Sequence, residues 1–306
     1  MNIAVIGGAG AMGSIFGGLL AHNGNDVTLV DVAPQPVEAI NANGLKIEDR
    51  SGEALVVRVR ATTDPRSVGP VDLALVFVKC YHTESAIQNA MPLIGPTTTV
   101  LSLQNGWGNA PRITSILGEE RVLVGVTYHS GTLIGPGHVL HAGKGATYIG
   151  ELNGQVSERL RHIAETFTAA GLDATPSDAV LNVIWSKLAL NACTLPTSAL
   201  LHFYAGQLIE HDGTLALMRA LLREVVAIAQ AQGITLDEHE RWDAITKVLQ
   251  GAKTGKASML QDVENERRTE IDVINGAIVA AGQRLNIPTP YNDSMVCLVK
   301  ALEETF

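Results

Sequence analysis

The chain has 306 residues, 46% of them hydrophobic and 17% charged. That is the composition of an ordinary folded protein of about two domains, and it excludes a disordered or low-complexity chain. A formal net charge of −9 with no dominant basic face speaks against nucleic acid, because phosphate binding needs clustered lysine and arginine.

Three widely spaced cysteines, Cys80, Cys193 and Cys297, have the spacing of neither a disulfide framework nor a metal site. No apolar run reaches the roughly 20 residues of a membrane helix. Met1 leads straight into a strand without the basic start or cleavage site of a signal peptide. A reducing, cytoplasmic setting is therefore expected, with no metal and no membrane partner.

In chain order, Asn2–Ile6 is a short apolar strand, followed by a glycine-rich turn and a helix whose apolar positions are Met12, Ile15, Phe16, Leu19 and Leu20. Asp26–Val30 reads as a second strand. Val71–Val78 and Thr99–Leu103 are continuous apolar runs of the kind buried on both faces of a parallel sheet. Helices are expected over Thr83–Leu93 and Asn109–Leu117. This alternation predicts an α/β fold with a Rossmann-like, doubly wound sheet.

Val122–His129, His138–His141 and Ala146–Ile149 then read as antiparallel strands, with a turn at Gly135-Pro136-Gly137. A helix near Ser157–Ala170 and a strand at Leu172–Ala174 follow. Beyond the turn-forming Thr175–Asp178, long helical periods run over Ala179–Cys193, Thr214–Gln232 and Met259–Leu285. The expected division is a dinucleotide-binding domain over 1–176 and an all-α substrate or dimerisation domain over 177–306.

Gly8-Ala9-Gly10-Ala11-Met12-Gly13 matches G-x-G-x-x-G between a strand and an amphipathic helix, the context that gives this pattern its meaning. The first glycine makes the tight turn, the second admits a pyrophosphate, and the third lets helix and strand pack closely. The free N–H groups of the helix N-terminus favour phosphate. Gly8, Gly10, Ala11, Met12 and Gly13 are thus candidate cofactor ligands. Asp31 ends the second strand, where a carboxylate can accept from ribose hydroxyls and would repel a 2′-phosphate; Val32 and Ala33 offer no cation. This favours NAD over NADP.

Several further stretches carry a likeness to a known family. They are Val78-Lys79 with Thr83; Gln104-Asn105-Gly106; Trp185-Ser186-Lys187-Leu188 with Asn191; Ser258-Met259-Leu260-Gln261-Asp262; Thr269-Glu270-Ile271-Asp272; Ile274-Asn275-Gly276; and Ile287-Pro288-Thr289-Pro290 with Asn292. Together with the glycine loop they make the chain resemble the ketopantoate reductases (2-dehydropantoate 2-reductases) over nearly its full length. The resemblance implies NAD(P)H-dependent reduction of a 2-keto acid, by default 2-dehydropantoate to pantoate, with NADP the usual cofactor. It implies Lys187 as the catalytic lysine and Glu270 as a substrate-binding glutamate. It implies Asn105, Asn191 and Ser258 at substrate or cofactor, and Lys79 at cofactor.

The chemistery of a ketone reduction suits those residue types. Hydride on carbon leaves negative charge on oxygen, and a positioned ammonium can both stabilise that charge and release a proton. Lys187 and Asn191 are i, i+4 and share a helix face. By spacing alone Lys187 would pass for a solvated helix lysine, and Glu270 for one of several surface charges. Ser258 with Gln261 also reads as a helix N-cap in a capping box. Asn105 alternatively reads as a turn residue before Gly106, and His129, His138 and His141 as structural.

Three positions depart from the family pattern. The stretch Asp31-Val32 stands where an arginine for NADP is common, and Leu195 and Gly255 stand where asparagines are common. A less polar keto acid, turned over by an NAD-dependent D-2-hydroxy acid dehydrogenase, is the close alternative. A non-catalytic NAD(H)-binding redox sensor is the distant one. The stripe Ile271, Ile274, Ile278 and Leu285 reads as core, with a homodimer interface as its alternative.

Overall fold

The computed structural model describes residues 1–306. The chain divides into two compact units, one of residues 1–104 and 109–180, the other of residues 105–108 and 181–306. A simple cut at 176/177 makes no provision for the tetrapeptide Asn105–Gly108, which groups with the helical unit although it follows a strand of the first.

The first unit contains, in order, β1 (Asn2–Ile6), α1 (Ala11–His22), β2 (Asp26–Val30), α2 (Pro34–Asn43), β3 (Leu45–Asp49), β4 (Ala54–Val57), β5 (Arg60–Thr62), β6 (Leu73–Val76), α3 (Thr83–Asn89) and β7 (Thr99–Ser102). It continues with α4 (Asn109–Leu117), β8 (Val122–Thr127), β9 (Ser130–Gly135), β10 (His138–Gly143), β11 (Thr147–Glu151), α5 (Glu158–Ala169) and β12 (Ala174–Pro176).

The main sheet runs β12-β11-β8-β7-β6-β1-β2-β5. Six of its strands, β5-β2-β1-β6-β7-β8, are parallel and wind outwards in both directions from β1 and β6. This is the doubly wound Rossmann order, and the switch point lies between β1 and β6. Their residues are aliphatic on both faces because helices cover both; Ile3, Leu29, Leu73, Leu75 and Leu101 are fully buried.

Several expected elements differ in the folded chain. The strands after Val122 do not form one antiparallel set: β8 continues the parallel series, and only β11 joins it antiparallel. In addition, β9 and β10 leave the main sheet and pair with β3 and β4 as a separate four-stranded sheet, β4-β3-β10-β9, in which β10 is parallel to β3. Only Leu73–Val76 of the Val71–Val78 run is strand, and the last strand is Ala174–Pro176 rather than Leu172–Ala174. The helix at Thr83 ends at Asn89, before the 3₁₀ turn Met91–Leu93, where Pro92 cannot continue it.

The second unit contains α6 (Val180–Leu201), α7 (Asp212–Ala231), α8 (Glu238–Gly251), α9 (Ser258–Glu264), α10 (Asn275–Leu285) and α11 (Pro290–Glu303). Met259–Leu285 is therefore two helices rather than one. After α9 the chain turns through Glu266 in the left-handed region (φ 50°). The amide of Arg267 donates to the carbonyl of Asp262 at 2.8 Å, and that of Glu266 to Val263 at 3.0 Å. These two bonds make a Schellman cap. A 3₁₀ turn over Ile271–Val273 then leads into α10. Ile271, Ile274 and Ile278 are buried in this unit and belong to its core, whereas Leu285, the last residue of the apolar stripe, is half-buried. No helix of either unit is long and apolar enough to cross a membrane.

Candidate active site

The glycine loop lies at the C-terminal end of β1, at the switch point of the sheet. The amides of Gly7 and Gly8 donate to the carbonyl of Val30, and α1 begins at Ala11 with no side-chain cap. Its first N–H groups are thus open to an anion. Gly13 is required by the protein itself: a Cβ there would stand 2.3 Å from the Gly7 carbonyl oxygen. Gly10 is not, since a Cβ there would meet only the Gly7 oxygen at 3.2 Å. Packing within the chain explains the glycine at 13, whereas the bare backbone at 10 suits close approach by a ligand, and the loop fits a dinucleotide pyrophosphate.

Asp31 is half-buried at the end of β2. Its Oδ2 accepts from the Ala9 amide at 3.0 Å, and its Oδ1 from the Ala33 amide at 3.1 Å. The carboxylate therefore ties the glycine loop to the strand end, a role the sequence reading lacked. Val32 beside it is 84% exposed and apolar. Lys79 follows β6, directly after Phe77 and Val78, whose backbone packs against Gly7. It is thus on the same rim of the first unit as the glycine loop. Gln104, after β7, steadies this rim by donating from Nε2 to the Val78 carbonyl at 2.8 Å and to Thr83 Oγ1 at 2.9 Å.

The second unit gathers Lys187, Asn105 and Glu270. Lys187 Nζ, on α6, donates to Asn105 Oδ1 at 3.0 Å, and Asn105 Nδ2 reaches Glu270 Oε2 at 3.5 Å. The asparagine thus bridges cation and carboxylate. Gly106 makes that bridge attainable. It adopts φ 80°, and a Cβ there would fall 2.2 Å from the Val273 carbonyl oxygen. With glycine in place, the Trp107 amide donates to the same oxygen at 2.8 Å.

Burial of its ammonium pulls Lys187 down to about 8, and the negative charge of Glu270 opposes that fall. Glu270 itself is buried. A proton affinity in that range leaves the group charged at neutral pH yet able to release its proton, as a donor must.

Asn191 is buried one turn beyond Lys187 on α6 and makes no side-chain hydrogen bond. Ser258 is exposed and corrects an expectation: it is the first residue of α9, not its cap, which falls at Ala257 without a side-chain bond. Gln261 donates instead to the Lys256 carbonyl at 3.1 Å. Ser258 and Glu270 lie on separate elements, since α9 ends at Glu264.

Proteins of known family resemble this chain over nearly its full length. The family description "Ketopantoate reductase PanE/ApbA" matches residues 3–154, and its C-terminal counterpart matches residues 179–303. A 2-dehydropantoate 2-reductase of Pyrococcus horikoshii is 35% identical over 303 residues, covering 99% of this chain and 98% of that one. One from Streptococcus pyogenes serotype M3 is 33% identical over 302 residues, covering 98% of each.

Among solved structures, a PanE/ApbA family ketopantoate reductase from Ralstonia eutropha JMP134 superposes with a TM-score of 0.92 at 36% identity, over 100% of this chain and 99% of that one. D-mandelate dehydrogenase in complex with NADH and anilino(oxo)acetate superposes with a TM-score of 0.94 at 30% identity, with the same coverage. With its doubly wound nucleotide-binding sheet, its helical second unit and these full-length matches, the chain belongs to the ketopantoate reductase family of NAD(P)-dependent oxidoreductases.

Proposed function

We propose that this chain reduces 2-dehydropantoate to pantoate, with Lys187 as proton donor and Glu270 as its substrate-binding partner. The observation that carries the reading is the partly buried Lys187–Asn105–Glu270 bridge, in which an ammonium with a proton affinity lowered to about 8 is joined through an amide to a buried carboxylate.

Reduced nicotinamide, when bound, supplies the hydride. Lys187 Nζ donates a hydrogen bond to the keto oxygen and stabilises the negative charge that grows on it. It then gives that oxygen its proton, completing the hydroxyl. Glu270 accepts from a substrate hydroxyl and keeps the ammonium charged. Asn105 fixes the spacing between them. Asn191 and Ser258 are read as further substrate contacts. The backbone of Gly8, Gly10, Ala11, Met12 and Gly13, together with Lys79, holds the phosphates. A cytoplasmic setting fits three cysteines that form no disulfide.

One observation favours a second reading. Asp31 stands at the ribose end of the loop without a neighbouring cation, and Leu195 replaces a polar family position. Both fit an NADH-dependent D-2-hydroxy acid dehydrogenase for less polar keto acids, and a similar solved chain is a D-mandelate dehydrogenase with NADH. Steady-state rates on 2-dehydropantoate and on branched or aromatic 2-keto acids, with each cofactor, separate the two.

Lys187→Ala is expected to bind reduced cofactor almost normally and to lose roughly 10²–10⁴-fold in kcat. Turnover surviving in that variant would refute the catalytic assignment. Tight cofactor binding with no turnover of any keto acid by the wild-type chain would point to a redox sensor.

A further inference from the structure

The strongest unassigned feature is a buried amide chain behind the Lys187–Asn105–Glu270 bridge. Pro196 lies inside α6 and has no N–H, so the carbonyl of Ala192, four residues earlier, lacks its helical donor. That carbonyl is met from another element: Asn275 Nδ2, at the start of α10, donates to it at 3.0 Å. The other Nδ2 proton goes to Asn292 Oδ1, also at 3.0 Å. Asn292 Nδ2 donates in turn to Glu224 Oε2 at 2.7 Å. Both asparagines are fully buried.

The direction of this chain is dictated by its ends. The Glu224 carboxylate accepts, and it already takes the amides of Tyr291 and Asn292 at 2.9 Å. Asn292 must therefore turn its Nδ2 to Glu224 and its Oδ1 to Asn275. Asn275 then faces two acceptors and commits both amide protons to them. Its own Oδ1 is left buried with no partner. An apolar residue would avoid that cost, so the two donated bonds account for an asparagine here.

The consequence lies five residues upstream. The stretch from Glu270 to Asn275 touches the Asn105 loop at Asn105 Nδ2 and at the Trp107 amide. Asn275 adds a direct polar bond from this stretch back to α6, one helical turn and a little more beyond Lys187. Lys187, Asn105, Glu270, Asn275 and Ala192 thus form a closed ring of contacts. We infer that Asn275, with Pro196 leaving a carbonyl open for it, is a positioning residue that sets the spacing of Glu270 from Lys187. The inference rests on the assignment of Lys187 and Glu270 given above.

Pro196→Ala tests this without stripping the core. The new N–H at position 196 lets α6 recapture the Ala192 carbonyl, so thermal stability should hold or rise while the link to Asn275 weakens. Asn275→Ala removes the link outright. In both variants kcat for keto-acid reduction should fall, several-fold in Pro196→Ala and about ten- to a hundredfold in Asn275→Ala. The alkaline limb of kcat/KM should move to lower pH, because the Glu270 charge that supports the Lys187 proton is less well placed.

Wild-type kcat and an unmoved limb in Pro196→Ala would overturn the inference, whether or not Asn275→Ala folds. So would joint recovery of stability and kcat in the double variant, which would make Asn275 merely a cap for one carbonyl. Lys187→Ala is assayed beside them. Its collapse with the tether variants unaffected rejects the tether alone, whereas its survival rejects the underlying assignment.

Discussion

Lys187 shows how its surroundings reset the proton affinity of one side chain. Desolvation favours the neutral amine and a nearby carboxylate favours the ammonium, and the balance stands at about 8. Because the reduction consumes the proton, kcat/KM should be level below that value and fall as pH rises through it, with a limiting slope of about −1 in a plot of log rate against pH. A pH profile that stays flat well above it would exclude Lys187 as the donor. The periodicity of α6 could not reveal this, because Asn105 and Glu270 are distant in sequence, 82 and 83 positions away from the lysine. Only the resemblance of separate motifs linked the three.

Asp31 is the opposite case, since the glycine pattern and the strand end before it were enough to single it out as a candidate. Its orientation by the Ala9 and Ala33 amides was not legible, because backbone turns set it. On the second reading NADH should be preferred over NADPH, and Asp31→Ser should narrow that preference roughly tenfold by removing a like charge from the 2′-phosphate. An unchanged ratio of kcat/KM values would remove Asp31 from cofactor choice.

Among the elements, the short loop after β7 matters most. Gly106 lets a tetrapeptide leave the first unit and join the second, with Trp107 bonded to Val273. Gly106→Ala combines a left-handed backbone with a Cβ driven into a carbonyl oxygen, and should cost about 1–3 kcal/mol in unfolding free energy. The same variant should lower kcat, because the oxygen it displaces belongs to the segment carrying Glu270. Thermal or urea unfolding beside steady-state kinetics checks both, and a fully stable, fully active variant would show the loop to be tolerant.

The break between α9 and α10 was hidden for a related reason. Its left-handed cap is Glu266, where glycine would have announced the stop. Apolar spacing simply continued across it. The small sheet was missed because β3 and β4 are mixed in character, and β9 is largely exposed.

Across the whole molecule, a buried imidazole pair joins three parts of the first unit. His129 Nδ1 and His141 Nε2 are 2.8 Å apart, and His129 Nε2 lies 3.2 Å from the Leu172 carbonyl. That carbonyl accepts, so His129 carries its proton on Nε2 and accepts from His141 at Nδ1, an assignment made from partners. Burial lowers His129, and burial, the neighbouring imidazole and Lys144 push His141 down to about 4. A histidine depressed in the folded state adds stability above its unfolded value and loses it as pH falls towards the folded one. Stability should therefore decline from about pH 6.5 downward, by about 2 kcal/mol at pH 5 for His141 alone. Urea unfolding across that range checks this, and a decline no smaller in His141→Gln would assign the acid sensitivity elsewhere.

Local chemistry by itself determined the doubly wound class, the nucleotide loop and the helical second half, because strand runs, glycine spacing and helical periodicity are encoded within a few residues of one another. The Lys187–Asn105–Glu270 bridge, the Pro196–Asn275 link, the second sheet and the His129–His141 pair were decided by tertiary structure. Each depends on groups far apart in sequence meeting at bonding distance, and on burial changing what those groups do.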